Sequence, residues 1–396
     1  MSLLLAPLLQ TYGWGKFDFA FILLTLLIIP YLLFYGYDNK LPRILSLYFI
    51  FWFLTHFMHA SSIRTTVSLG WGRTFLMFLM FYSCVKRETF LKYYRIISTI
   101  CIAFLFLQEF SFYTTGVRIR GIITSLPLAL NVQNALEYYD YMTYTGRSAS
   151  FFSEPAIFCQ YVLPLFCIEL FDRSRVLHFF YAAIIAVAIL LSQSGNGLVG
   201  IGVIGTLYCV FEIFDRGISI KRRLIVVLLF TIIAIASTLF FIETNKGKEM
   251  LERRSEIENI GGNNKDTHLS GFIRIFRGYY VFQHFSTSEK IFGQDNTDKI
   301  KQHIIGSNMY LFFEDDELYF NTIQEFMIRT GIVGLIFYIL FLFHSAKKTD
   351  LCGKTLILTL FILSFISSMF FTPIMAMFIL LAKAEDKEHA KIAATE

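Results

Sequence analysis

Charge is scarce in this sequence. Asp, Glu, Lys and Arg make up 16% of its 396 residues, where soluble proteins carry about 25%. That shortage excludes a chain of two or three water-soluble domains. No Walker-type Gly-rich loop is present, so ATP is not the energy source. The cysteines Cys84, Cys101, Cys159, Cys167 and Cys209 fall in or beside apolar runs, and Cys352 sits in a short Lys-rich loop. None lies in a long polar segment, which excludes a disulfide framework and leaves small buried hydrophobes. A basic n-region and a small-residue cleavage site are also missing, so the N-terminal apolar stretch reads as retained. The net charge of +5 is modest. Its distribution follows topology, and nucleic acid is not an expected partner.

Apolar side chain fills the composition instead. Hydrophobic residues reach 55%, with 45 Phe, and a core that rich needs lipid as its solvent. A membrane-crossing helix takes about 20 mostly apolar residues. Uncharged runs lie between Asp18 and Asp38, Arg43 and Arg64, and Arg223 and Glu243. Further spans are expected at Thr66–Val85, with Arg73 inside, at Tyr94–Tyr113 and at Pro155–Phe171. Val176–Phe211 is long enough for two, with Ser192-Gln-Ser-Gly-Asn-Gly197 as the turn. Another covers Phe326–Ser345. Thr355–Ala382 is interrupted by Pro373 and reads as one long helix or, preferably, two short ones. The fold class is therefore an all-α polytopic membrane protein, residues 1–396 forming one multi-pass domain of about ten or eleven transmembrane helices.

Lys and Arg set the orientation. One set of connections carries Lys40 and Arg43; Lys86, Arg87, Lys92 and Arg95; Arg173 and Arg175; Arg216, Lys221, Arg222 and Arg223; and Lys347, Lys348 and Lys354. The alternate connections carry only Arg64, Arg118, Arg120 and Arg147 among their short and medium members. The basic set belongs in the cytoplasm, which places two long segments, residues 114–154 and 243–318, outside. Cytoplasmic loops are short, so chemistry or binding is expected on the outer face.

The first outer segment ends in Gly146-Arg147-Ser-Ala-Ser-Phe-Phe-Ser-Glu154-Pro155. In one reading Pro155 starts a helix, Ser153 or Glu154 caps it, and Arg147 anchors to headgroups. In the other, Arg147 and Glu154 are a cation and a carboxylate aimed at a lipid headgroup. The second segment mixes acids with bases and is no generic polybasic lipid binder. Within it, Ser270–Phe285 reads as an amphipathic helix at the interface. Arg274 and Arg277 share a face there, suited either to gripping a phosphate with a planar fork or to snorkelling. Arg73, charged inside a span, costs at least ~2.5–3.5 kcal/mol on insertion scales unless it is partnered or snorkels, and Glu109 is a candidate partner. His56 and His59 lack a third ligand and read as interface histidines, so no metal site is expected. The run Glu314–Glu317 reads as a solvated loop end.

Several of these features together resemble Wzy-type O-antigen and capsular repeat-unit polymerases, which share a superfamily with O-antigen ligases. They are Arg147-(x)3-Phe-Phe-Ser-Glu-Pro-Ala-Ile-Phe before a span, the Ser192–Gly197 turn, Arg277 ahead of Ile291-Phe292-Gly293, and Asn321-(x)9-Gly331-Ile-Val-Gly334. The resemblance implies a GT-C-like glycosyltransferase in the bacterial inner membrane with a periplasmic site and no cofactor. Its substrate would be an undecaprenyl-diphosphate-linked oligosaccharide, the growing chain passing to the non-reducing end of a new unit. A chain-length regulator and a flippase of the same pathway would be further partners beside the lipid bilayer. Ligases of the superfamily carry His just before the Asn, where this chain has Phe320, which favours polymerase. Under the resemblance Arg277 and Arg274 meet the diphosphate, Arg147 meets diphosphate or sugar, and Glu154 is the first candidate base. Arg118 and Arg120 would hold the second carrier, with Arg73 and Asn321 also in the substrate site. Tyr280, with Tyr138, Tyr139, Tyr141, Tyr144 and Tyr279, suits stacking on sugar rings, although membrane interfaces recruit Tyr as well. The competing class, a transporter, lacks support from internal repeats or matched broken helices.

Overall fold

The computed structural model describes residues 2–15, 17–35, 41–59, 72, 74–80, 82, 85–130, 132, 147–172, 176–214, 273–306, 320–347 and 349–383. Arg73, the Arg223–Glu243 run, Tyr138, Tyr139, Tyr141, Tyr144 and Glu314–Glu317 lie outside them, as do the side chains of His56, His59 and Arg274. Two compact units divide the chain. The first comprises Met1–Ile201, Ile336–Leu363 and Met369–Glu396, the second Gly202–Leu335 and Ser364–Ser368.

The described elements are helical, save one two-residue ladder. In order they are α1 (Ser2–Leu9), β1 (Gly13–Trp14), β2 (Phe17–Asp18), α2 (Phe19–Tyr35), α3 (Arg43–His59), α4 (Arg87–Thr115), α5 (Pro155–Phe171), α6 (Val176–Leu191) and α7 (Gly195–Phe214). A π turn at Ile273–Arg277 leads into α8 (Gly278–Gln283), followed by α9 (Thr287–Phe292), α10 (Thr297–Gly306), α11 (Thr322–Lys347), α12 (Leu351–Leu363) and α13 (Pro373–Ala382). Among the described residues α4, α7 and α11 are long and apolar enough to cross a membrane, and shorter apolar helices accompany them. Large apolar residues such as Ile96, Ile100, Leu107 and Phe110 on α4 face outward, as lipid contact requires. These helices are compatible with an all-α membrane protein.

In the first unit Pro164 breaks the backbone ladder of α5, because proline has no N–H to donate. The fully buried Tyr94 of α4 enters the break: its hydroxyl donates to the Tyr161 carbonyl and accepts from the Leu165 N–H at 3.3 Å. A side chain inserted into the ladder satisfies groups that lipid cannot. At one end of these helices Arg95 of α4 donates to Glu169 of α5 at 2.6 Å, and His178 of α6 meets the same carboxylate at 2.5 Å. Asp172 lies 3.5 Å from His178 and 3.8 Å from Arg95. These contacts clasp α4, α5 and α6 at that end. The turn into α7 leaves Gly197 against Cys159 and Ile189, and Gly200 against Leu163, with no room for a Cβ.

The C-terminal apolar stretch is two helices. Thr372 caps α13 by accepting from the Met375 N–H at 3.3 Å, with Pro373 at its first turn. Every residue of α13 is buried, the mark of a helix packed on all sides by protein. Phe371, just before the cap, stacks on Trp52 with centroids 5.8 Å apart and meets Phe49 and Tyr48 at 5.2 Å. Cys101, Cys159 and Cys167 are buried and unpaired by disulfides.

In the second unit the segment expected as one interfacial helix is, from Ile273 onward, a π turn followed by a short α-helix. Val281 and Phe285 are buried with Ile300 and Ile304 of α10 and with Phe320 and Ile328. Here α9 carries a complete capping box: Ser286 accepts from the Glu289 N–H at 3.4 Å while Glu289 accepts from the Ser286 N–H at 2.9 Å. Burial raises the Glu289 carboxyl, but hydrogen bonds from Gln294, from the Ser286 backbone and hydroxyl, and from His303 outweigh it and hold it at about 2. A carboxyl depressed by folding stabilises the fold above its ordinary value, here 4.5, and that contribution is lost as pH falls toward the depressed value. Protection factors for the amides of α9 are therefore expected to fall as pH drops from about 4.5 to about 2, and Glu289→Gln should remove that dependence. A pH-independent wild type would contradict the assignment.

Candidate functional site

In the first unit, a polar constellation forms where α4 ends, α5 begins and α6 turns into α7. α4 stops at Gly116, whose left-handed backbone (φ 75°) returns its N–H to the Phe112 carbonyl at 2.9 Å. This reversal folds Arg118 back over the last turns of α4. There its Nε donates to Glu109 at 3.1 Å and to the Ser148 hydroxyl at 3.2 Å, and Ser148 donates to the same Glu109 oxygen at 2.5 Å. All three residues are buried. Glu109, offered by the sequence as a partner for Arg73, is thus held by Arg118 and Ser148.

Residues 147–150 form a strap across α4. The Ser150 N–H donates to Gln108 at 2.9 Å, and its hydroxyl donates to the Cys101 carbonyl at 2.7 Å. The Ser150 carbonyl lies so close to Gly121 that a Cβ there would overlap it. Arg147, half-buried at the head of the strap, donates to the Gln193 carbonyl at 3.4 Å. Two motifs of the resemblance, Arg147–Glu154 and Ser192–Gly197, therefore meet in space. Ser192 binds the Cys159 thiol at 3.0 Å and donates to the Ile189 carbonyl at 2.6 Å. Ser150 (φ 56°) and Gln193 (φ 53°) both hold left-handed backbone without being glycine, a conformation that persists only where its surroundings impose it.

Glu154 occupies the N-cap of α5, with Pro155 at the first turn, yet its carboxylate caps no N–H. The capping reading of Glu154 fails on this point, and the carboxylate is uncommitted to the helix it precedes. Arg120 makes a local bond to Thr124 at 3.3 Å.

In the second unit Arg277 is 2% exposed, its guanidinium carbon 5.9 Å from the Phe320 ring centroid. A snorkelling arginine would be exposed at its tip, so burial argues against that reading. Gly278 beside it packs on Gln324, whose side chain donates to the Ile275 carbonyl at 2.8 Å. Asn321 is fully buried and uses both ends of its amide: Oδ1 accepts from the Gln324 N–H at 2.9 Å, and Nδ2 donates to the Phe365 carbonyl at 2.8 Å. The Thr322 and Ile323 N–H groups donate to the carbonyls of Ser367 and Ser364 at 2.9 and 3.1 Å. The start of α11 is thus satisfied by protein, and Asn321 serves as its cap and clamp. Tyr280 is exposed.

One group here is only half legible in the sequence. Arg329, on the second turn of α11, binds Glu325 and, at 2.8 Å, the buried Asp295. Only the spacing of Glu325 and Arg329, four apart on a helix, signals half of it. Beyond Arg329 the helix breaks at Gly331 (φ 66°, ψ −169°), and the Ile328 carbonyl accepts from the Gln294 N–H at 2.7 Å. Among the described residues no group of three His, Cys, Asp or Glu is placed to hold a metal ion.

No family model, curated protein or solved structure matches the chain. Function therefore rests on the chemistry of these two groups. The first offers two arginines, an uncommitted carboxylate and strained backbone, the second a buried arginine on a stiffened support.

Proposed function

We propose that the protein is a polytopic inner-membrane glycosyltransferase that polymerises repeat units from undecaprenyl diphosphate at the periplasmic face. The observation that carries this reading is the first constellation. There Glu154 keeps its carboxylate uncommitted at a helix start, and Arg147 stands on backbone strained at Ser150 and Gln193. The resemblance to Wzy-type polymerases and the fork of Arg277 support it. In the reaction an acceptor hydroxyl attacks the anomeric carbon of the donor sugar, and the bond to the diphosphate oxygen breaks. The diphosphate leaves with the electron pair, and Glu154 takes the hydroxyl proton. Arg147 offsets the charge growing on the diphosphate, and most of the remaining task is positioning.

The test is reconstitution of purified protein with an undecaprenyl-diphosphate-linked repeat unit from its own locus, resolved on a gel. A ladder of multiples is expected. Arg147→Ala and Arg277→Ala should each slow it by about 10² or more, and Glu154→Gln by about 10²–10⁴. Full turnover in Glu154→Gln would reassign the base, and unchanged yield in Arg277→Ala would remove it from the diphosphate. Product formed only with added lipid A core would make the protein a ligase. Unchanged substrate in both assays would favour transport.

A further inference from the structure

Arg118 carries more donors than the described residues satisfy. Its side chain is 0% exposed, and among the described residues only Nε is engaged, by Glu109 and Ser148. Nη1 and Nη2 are buried and meet no acceptor among the described residues. The guanidinium carbon lies 3.8 Å over the Phe112 ring. A ring face attracts the charge, but it does not accept the N–H bonds that point outward in the guanidinium plane. Buried donors without acceptors oppose folding, and natural proteins keep few of them. An ion pair with Glu109 alone would need one cationic group. The two spare amino groups form a planar fork, matched to paired oxygens of a phosphate-class anion. Glu109 already balances Arg118, and the next cation, Arg147, directly precedes Ser148 in the strap.

We propose that the Nη groups of Arg118 form a closed oxyanion subsite for a phosphate or diphosphate group, admitted when the 147–150 strap lifts from α4. The strap is suited to release. It is held by discrete hydrogen bonds from Ser148 to Glu109 and from Ser150 to Gln108 and Cys101, and Ser150 is strained at φ 56°. Lifting relaxes Ser150 and exchanges a serine hydroxyl for ligand oxygens. The subsite deepens the reading of Arg118 as a carrier-holding residue, but binding is read without turnover, so a failed polymer ladder leaves it intact.

The test uses the full chain in a maltoside detergent, which carries no phosphate, with the thermal midpoint as readout. Inorganic pyrophosphate is expected to raise the midpoint saturably, and chloride at equal ionic strength should not. Arg118→Gln should lose the response. If that variant does not fold, Arg118→Lys keeps the charge without the fork and should need about tenfold more pyrophosphate. Ser148→Ala should lower the half-saturating concentration, because the strap then opens more easily. A response to farnesyl diphosphate alone would identify a lipid headgroup as the source of the anion and sustain the subsite. No response to either probe, or an unchanged response in the Arg118 variants, would overturn it. An unchanged half-saturation in Ser148→Ala would overturn the strap.

Discussion

Gly331→Ala is expected to lower the thermal midpoint sharply, with a cost of about 4 kcal/mol or more. Two independent terms act together. The backbone at Gly331 (φ 66°, ψ −169°) lies in a region that is essentially confined to glycine. A Cβ there would also overlap the Ile291 carbonyl and stand 2.6 Å from the Gly293 nitrogen. Those neighbours are backbone and have little freedom to retreat. Gly293, itself at φ 84°, presses back on the backbone of Arg329 and Thr330, so two glycines face each other across one contact. Gly202→Ala is the matched control. That glycine lies in helix α7 with nothing within 4 Å of its added Cβ, and alanine there should be neutral or stabilising by up to about 1 kcal/mol. Equal midpoints for the two variants would show that the break in α11 is not locked by this contact.

Glu109→Ala should cost about 3–5 kcal/mol, because it strands the buried guanidinium of Arg118 without its counter-charge. Ser148 would lose its acceptor at the same time. The informative comparison is the double variant Glu109→Leu with Arg118→Met. Replacing a whole buried pair by apolar residues of similar volume is often neutral or stabilising, so the double variant should recover most of the loss in midpoint. If the double variant is as unstable as Glu109→Ala, the pair is not the origin of the cost. Recovery of stability without recovery of the pyrophosphate response would separate the structural role of Arg118 from its proposed binding role.

Helix positions are largely legible, because in lipid the solvent constrains composition along every span. Pro155–Phe171 appears with the bounds expected for that span. The choice between one helix and two in the C-terminal stretch is settled at Pro373, which starts a new helix after Thr372. The Val176–Phe211 run is two helices, with the turn slightly tighter than expected because Gly195 already begins α7. Contacts set by backbone reversal are not legible. Nothing in the spacing of Glu109 and Arg118 suggests a pair until Gly116 is seen to turn the chain back. The carbonyls of Ser364 and Ser367 that satisfy the start of α11 come from a segment far along the chain. Helical spacing predicts one continuous helix through Arg274 and Arg277, but the residues there form a π turn.

The break in α5 also carries an order of assembly. In hydrocarbon, a helix interrupted at Pro164 exposes backbone groups that no lipid can bond. Their partner is a hydroxyl on α4, at Tyr94, which precedes α5 in the chain. Synthesis therefore delivers the donor to the membrane before the defect it repairs. The two segments make energetic sense as one inserted hairpin, in which the later helix borrows its continuity from the earlier.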